Sequence, residues 1–281
     1  MRRKRKSLGA HLLTGLAHAM LLLGAVVMVM PMIWMLLTSF KPAPEIAVWP
    51  PVWVPQAPTL SNYSGVFETA PFGRFFANSV GMSLVATLSV VVTSLLAGAV
   101  FAKYRFPGRA ALFGLIIATA IVPFESYMIP LYLQLNAIGW INTYQGIVLP
   151  TLFMSFGIFL MRQHVASAIP TDYLEAARID GASNLAIFRR IVVPLSVPAL
   201  ASFAIFQFLW VWNDLLMALI FVSDPAKQPM TVRIPYLLST YGQEYNLLAA
   251  AAFLLMALPL VVFFALQRYF VQGLLAGSVK T

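Results

Sequence analysis

The sequence contains no cysteine. Without a thiol, the chain has no disulfide, no thiolate metal site and no cysteine nucleophile. Charge is scarce as well, since 10% of the 281 residues are charged whereas 60% are hydrophobic, and the mean hydropathy is +0.84. A soluble domain of this length does not need so much apolar surface, and we therefore expect lipid to surround most of the chain.

The sequence also lacks the common motifs of enzymes. No His-Glu-x-x-His and no Gly-x-Ser-x-Gly motif occurs, and the three histidines lie far apart, at His11, His18 and His164. We predict no catalytic residue and no metal site. A Gly-x-x-x-x-Gly-Lys-Ser/Thr phosphate-binding loop is missing too, so any ATP hydrolysis that this protein uses must come from a separate subunit.

Long apolar stretches predict six membrane-spanning helices, because about 20 apolar residues cross the hydrocarbon core of a bilayer. The first stretch follows a basic N-terminus, as in a signal peptide, but it exceeds the usual apolar region of about 7–15 residues. No small-residue cleavage site follows, so we expect it to remain as a helix. The stretches are 12–40, 75–102, 110–133, 143–161, 199–222 and 247–267.

Positive charge predicts the orientation of these helices. With both termini inside, 14 of the 18 lysines and arginines fall on the cytoplasmic side, as the positive-inside rule requires. The predicted organisation is a basic N-terminal tail (1–11), a six-helix membrane domain (12–270) with a cytoplasmic loop at 164–198, and a cytoplasmic C-terminal tail (271–281). The net charge of +9 is then mainly an orientation signal, and we predict no nucleic-acid partner.

The cytoplasmic loop contains the one extended polar segment between apolar stretches. Thr171 is suited to cap a first helix, and Gly181 supplies the left-handed residue that ends it. Ser183 is suited to cap a second helix, at 184–191, which Pro194 ends before the fifth span. This pattern predicts a helix–turn–helix at the membrane surface. On these residues alone, it either docks another protein or packs against its own bundle.

The spacing of certain residues in this loop resembles the EAA loop of ATP-binding-cassette (ABC) importer permeases, with Val193 where that family usually has leucine. The resemblance implies that the loop is a coupling helix in a cleft of an ABC ATPase dimer, and that the ATPase binds ATP and magnesium while this chain binds no cofactor. The residues that carry the spacing are Glu175, Ala176, Ala177, Gly181, Ile191 and Pro194.

Three further segments narrow the resemblance to carbohydrate-uptake permeases of the maltose-transporter type. They are 206–219 in the fifth stretch, 31–41 at the end of the first, and 61–63 beyond it. The resemblance implies the type I importer permease fold and the role of the smaller permease in a heterodimeric pair. It also implies an external solute-binding protein, a location in the bacterial inner membrane, and sugar uptake. Disaccharides, trisaccharides and glycerol phosphates remain open as substrates, and polyamines are a distant alternative.

Two acids lie within the apolar stretches. An acid at the centre of a membrane helix costs about 2.5–3.5 kcal/mol on insertion scales, so Glu125 and Asp214 are expected to face the bundle interior or water. Nearby Tyr127 and Asn213 are suited to bind sugar hydroxyls. The four residues are candidates for the translocation pathway, and the alternative is that the acids only lock helices or hold a gate. A proton-coupled secondary transporter with both acids as relay groups is a second functional hypothesis, although no internal repeat supports it.

Overall fold

In the computed structural model, residues 8–241 and 244–278 are described, and all regular secondary structure in these ranges is helical. Five helices there are long and apolar enough to cross a membrane, and a bent pair makes up to six. The all-helical membrane fold predicted from the apolar stretches is thereby confirmed. The five long spans are Leu13–Ser39, Phe72–Lys103, Tyr144–Ala168, Asn184–Trp212 and Tyr245–Arg268.

Thirteen α-helices cover most of the described residues. They are α1 Leu8–Ser39, α2 Ser61–Thr69, α3 Phe72–Lys103, α4 Arg109–Thr119, α5 Phe124–Ala137, α6 Tyr144–Val148, α7 Ser155–Ala168, α8 Thr171–Ile179, α9 Asn184–Ile187, α10 Val193–Trp212, α11 Leu216–Phe221, α12 Met230–Tyr241 and α13 Tyr245–Ser278. Most of the predicted N-terminal tail lies outside the described residues, and α13 extends into the predicted C-terminal tail.

The third predicted span, at 110–133, is not one helix. It consists of α4 and α5, which meet at an angle of 96°. Pro123 lies directly before α5 with an extended backbone (φ −65°, ψ 143°). A proline disfavours helical geometry in the residue before it and removes a donor from the preceding turn, so the helix breaks at this point. By contrast, Pro130 lies inside α5 without ending it.

The fifth predicted span, at 199–222, is also interrupted. α10 ends at Trp212 and α11 begins at Leu216, which places Asp214 in the break rather than inside a helix. Tertiary contacts fix this end, because the indole Nε1 of Trp212 donates to the carbonyl oxygen of Leu255 at 3.2 Å. An acid is easier to accommodate at a helix end, where free amide groups donate hydrogen bonds to its carboxylate, than in the middle of an apolar helix.

The described chain forms two units, one of which comprises residues up to 71 together with 236–254. Asn62 on α2 is buried there, and its Nδ2 donates to the carbonyl oxygens of Ser39 and Lys41, each at 2.8 Å. Its Oδ1 accepts from Nδ2 of Asn246 at 2.8 Å. One asparagine therefore joins α2 to the end of α1 and the start of α13.

The other unit comprises 72–235 and the residues from 255 onward, and its core lies between α3, α7 and α10. Two glycines allow these helices to approach closely. A Cβ on Gly98 would lie 2.7 Å from the backbone nitrogen of Arg162, and one on Gly157 would lie 2.5 Å from Cζ of Phe203. Small residues at helix contacts are typical of membrane proteins, where close van der Waals packing replaces the hydrophobic effect.

Candidate functional site

The first helix of the loop at 164–198, α8, has a buried face and an exposed face. Leu174 is 3% exposed and belongs to the core cluster of α3, α7 and α10, against which Ala177 packs. On the other side, Tyr173 is 60% exposed and Ile179 is 87% exposed, and Glu175 and Ala176 lie exposed between them. Packing of the buried face holds α8 against the membrane domain, and the outer face of α8 is left exposed in a fixed position.

The start of α8 differs from the expectation. Thr171, predicted to be the capping residue, is the first helical residue, and Pro170 precedes it without a side-chain cap. Pro170 has an extended backbone (φ −59°, ψ 141°) and satisfies none of the free amides. The stabilisation at this end comes from Asp172, whose carboxylate lies in the first turn at the positive end of the helix dipole.

Gly181 ends α8 as predicted, with a φ of +80°. Its amide donates to the carbonyl oxygen of Arg178 at 3.0 Å, and the amide of Ala182 donates to that of Ala177 at 2.9 Å. These two bonds form a Schellman motif, which requires a left-handed residue at this position. A Cβ on Gly181 would have no atom of this chain within 4 Å, so the space beside the turn is open.

The second helix of the loop begins as predicted but does not end as predicted. The hydroxyl of Ser183 accepts from the amide of Ala186 at 3.2 Å and caps α9. Pro194 does not break the helix, because a π-helical turn at Phe188–Val192 leads directly into α10. The wider turn accommodates a proline that lacks a donor and crowds the preceding turn. Ile191 packs against the core cluster, and the loop is continuous with a membrane span.

A contact that sequence reasoning missed holds both helices of the loop. Tyr104, just after α3, donates its hydroxyl to Oδ1 of Asn184 at 3.0 Å. The guanidinium of Arg178 lies 5.6 Å from the centroid of the Tyr104 ring. Lys103 donates from its ammonium to the carbonyl oxygen of Ile169. The only signal in the sequence was a short basic segment, which indicated orientation alone.

Asp214 lies half-buried in the break between α10 and α11. Its Oδ1 accepts from the amide of Met217 at 3.1 Å, and its carbonyl oxygen accepts from the hydroxyl of Thr231 at 3.2 Å. It also lines a cavity of about 20 Å³, whose wall includes Ser79 and Ser83. This volume admits about one water molecule and no sugar. In this conformation Asp214 therefore caps a helix and lines a small, mainly apolar cavity.

The other three candidate pathway residues do not line this cavity. Glu125, Tyr127 and Asn213 are exposed on the chain, and the expectation that Glu125 faces the bundle interior or water stays a prediction. Glu125 lies in the first turn of α5, directly after the bend between α4 and α5. The adjacent Phe124 contacts the ring of Phe221 on α11, with 6.4 Å between centroids. The break in the third span thus contacts the helix that Asp214 caps.

Comparison with known proteins gives a family match and several similar permease proteins. The family described as "Binding-protein-dependent transport system inner membrane component" matches residues 91–275. The osmoprotective compounds uptake permease protein GgtD of Synechocystis sp. is 40% identical over 273 residues, which are 94% of this chain and 91% of that protein. The alpha-glucoside transport system permease protein AglG of Rhizobium meliloti is 44% identical over 230 residues, covering 79% of this chain and 60% of that protein.

A solved structure shares the fold. It is a chain of a bacterial ABC transporter involved in the import of the acidic polysaccharide alginate. The TM-score is 0.85 at 22% sequence identity, and the match covers 95% of this chain and 100% of that chain. The fold of this chain is therefore one that a solved structure already shows.

Proposed function

This chain belongs to the family of binding-protein-dependent transport system inner membrane components, and on that premise we propose that it forms half of a sugar-import path driven by a separate ATPase. It is a permease subunit of an ABC importer with the type I permease fold. The alternative of a proton-coupled secondary transporter receives no support from the relatives. We place the chain in a bacterial inner membrane, with both termini in the cytoplasm.

The outer face of α8 and α9 is the proposed docking surface for the ATPase. Tyr173 and Ile179 are exposed apolar side chains on an otherwise polar loop, and Leu185 on α9 is 65% exposed. Apolar side chains left exposed on a loop that is itself packed against the membrane domain favour a protein–protein contact. The exposure of these three side chains on a helix held by its buried face is the observation that carries the proposal.

Within the docking surface, the predicted residues divide into two roles. Glu175 and Ala176 are exposed and contact the ATPase, the first through a charge-assisted bond and the second by allowing close approach. Gly181 turns the chain between the helices without filling the space beside it. Ala177 and Ile191 pack inward and hold the loop, while Pro194 lies where the π turn joins the loop to α10.

The break at Asp214 is the proposed gate of the pathway. The cavity beside it is too small for a sugar, so transport requires that the α10–α11 break opens. Glu125, Tyr127 and Asn213 are exposed on this chain, where they are free to face a path shared with a second permease. Because acids exposed to hydrocarbon are costly, a watery path is the favourable surrounding for Glu125.

The proposed substrate is an oligosaccharide or a related polyhydroxylated solute, which an external solute-binding protein delivers. AglG is named for alpha-glucoside transport and GgtD for the uptake of osmoprotective compounds. The partner ATPase dimer binds ATP and magnesium, and this chain binds no cofactor.

Reconstitution tests this function directly. The chain, its partner permease, the ATPase and the binding protein are placed in proteoliposomes, and uptake of a labelled disaccharide is measured. We expect uptake to require internal ATP and the binding protein and to be unaffected by a protonophore. Uptake driven by a proton gradient without ATP would contradict the proposal and favour the secondary transporter.

A further inference from the structure

A cavity of about 350 Å³ lies inside the first unit. The end of α1, the loop after it and the start of α13 surround it, with Trp34 and Tyr245 on its wall and apolar side chains such as Met35 and Leu248 between them. The span in α1 ends at Ser39 and the span in α13 begins at Tyr245. Both spans therefore meet the same membrane boundary, where tryptophan and tyrosine are typical, and the cavity lies at this boundary.

A buried cation without a counterion lines this cavity. Lys41 is 2% exposed, and its ammonium lies 4.0 Å from the centroid of the Trp34 ring. Within the described residues this ammonium makes no hydrogen bond and no ion pair. Burial lowers the pKa of Lys41 below its usual value, and nearby Glu45 partly opposes this effect. An ammonium removed from water is costly unless an anion compensates for it.

A second polar group in the same cavity also lacks a partner. The hydroxyl oxygen of Thr38 is buried and makes no hydrogen bond within the described part of the chain. Buried polar atoms without a partner are rare in folded proteins, and each calls for an explanation. A bound group that accepts hydrogen bonds would satisfy Thr38 and Lys41 together.

The one carboxylate on the cavity wall is engaged elsewhere. The two oxygens of Glu45 accept from the backbone amides of Gln56 and Ala57, each at 3.0 Å. These bonds hold the loop between residues 45 and 57 beside the cavity. Glu45 is therefore a structural acceptor, and it leaves the ammonium of Lys41 without a direct partner.

We propose that this cavity binds the phosphate of an anionic phospholipid. Lys41 is the cation for the phosphate, Thr38 donates a hydrogen bond to it, and the apolar wall receives the glycerol and the first acyl carbons. A lipid fits better than a dissolved anion because the wall is mainly apolar and lies at a membrane boundary. This site does not depend on which substrate the importer carries.

Lipid titration of the assembled importer tests the site. In neutral detergent, the thermal midpoint of unfolding is followed as phosphatidylglycerol, phosphatidylcholine with the same acyl chains, or inorganic phosphate is added. We expect phosphatidylglycerol to raise the midpoint more than phosphatidylcholine does. Lys41→Met should weaken its half-saturating concentration at least tenfold, whereas Arg74→Met, which removes an exposed cation, should leave it unchanged.

Three results would overturn the proposal. The first is an equal effect of the two lipids on the parent protein, and the second is an unchanged phosphatidylglycerol response in Lys41→Met. The third is a response to inorganic phosphate alone with the same dependence on Lys41, which would assign the site to a dissolved anion. If Lys41→Met does not assemble, Glu45→Gln replaces it. Glu45→Gln removes the negative charge that would repel a bound phosphate, and it should therefore tighten phosphatidylglycerol binding at least threefold. Unchanged binding would overturn the proposal.

Discussion

Replacing Gly181 by aspartate is expected to release the ATPase while the permease stays folded in the membrane. The φ of +80° at this position costs a residue with a Cβ about 1 kcal/mol. A Cβ there would meet no atom of this chain within 4 Å, so no clash adds to this cost. The permease alone should therefore lose only about 1 kcal/mol of stability, and any larger loss in the complex must come from the partner.

Gly139 provides a matched control. It ends α5 with a φ of +71° and also has open space beside it. Its amide donates to the carbonyl oxygen of Asn136 at 3.0 Å, and the next amide, of Trp140, donates to that of Leu135 at 2.8 Å. This is the same Schellman motif as at Gly181. Gly139→Asp should thus show the same backbone strain without any effect on docking.

The assay is co-purification of the ATPase with a tagged permease, together with ATP hydrolysis stimulated by the binding protein. Gly181→Asn adds a further comparison, because asparagine tolerates the left-handed conformation but still fills the open space. We expect both Gly181 variants to lose the ATPase and Gly139→Asp to retain it. Equal behaviour of Gly181→Asp and Gly139→Asp, or normal stimulated hydrolysis in Gly181→Asp, would refute the reasoning.

Three other changes test separate parts of the account. Tyr104→Phe removes the hydrogen bond to Asn184, worth about 1 kcal/mol, and should reduce stimulated ATP hydrolysis while membrane insertion, measured by immunoblotting, is normal. Asp214→Asn keeps an oxygen that caps α11 and should leave assembly intact but alter transport. Asp214→Leu loses the cap, at a cost of about 1 kcal/mol, and sugar uptake at the parental rate would exclude the gate. A cysteine that replaces Ala182 should not react with an impermeant thiol reagent in intact cells, and labelling from outside would contradict the cytoplasmic location of the loop.

Local chemistry explains the features that the sequence predicted correctly. Long apolar stretches fix the spans because the bilayer accepts little else. Gly181 is confirmed as the left-handed end of α8 and Ser183 as the cap of α9, because each of these features depends on one residue and its immediate backbone. Such features require no knowledge of distant contacts.

The expectations about helix ends that were wrong depend on contacts between distant residues or on backbone conformations that the sequence pattern does not predict. A π turn allows Pro194 to continue the helix that it was expected to end. The end of α10 is held by the hydrogen bond between Trp212 and Leu255. The loop is held by the hydrogen bond between Tyr104 and Asn184. Neither contact follows from periodicity, because each joins residues far apart in the sequence.

Cross-linking from α8 tests the central claim most directly. In this cysteine-free chain, a single cysteine replaces Ala176 in the docking surface or, as a control, Ala137 in the last turn of α5, and both alanines are exposed. A short thiol-to-amine cross-linker is then applied to the assembled importer. The account predicts a product with the ATPase from position 176 and none from position 137. No product from 176, or a product from 137 alone, would contradict the claim that this loop couples the permease to ATP hydrolysis.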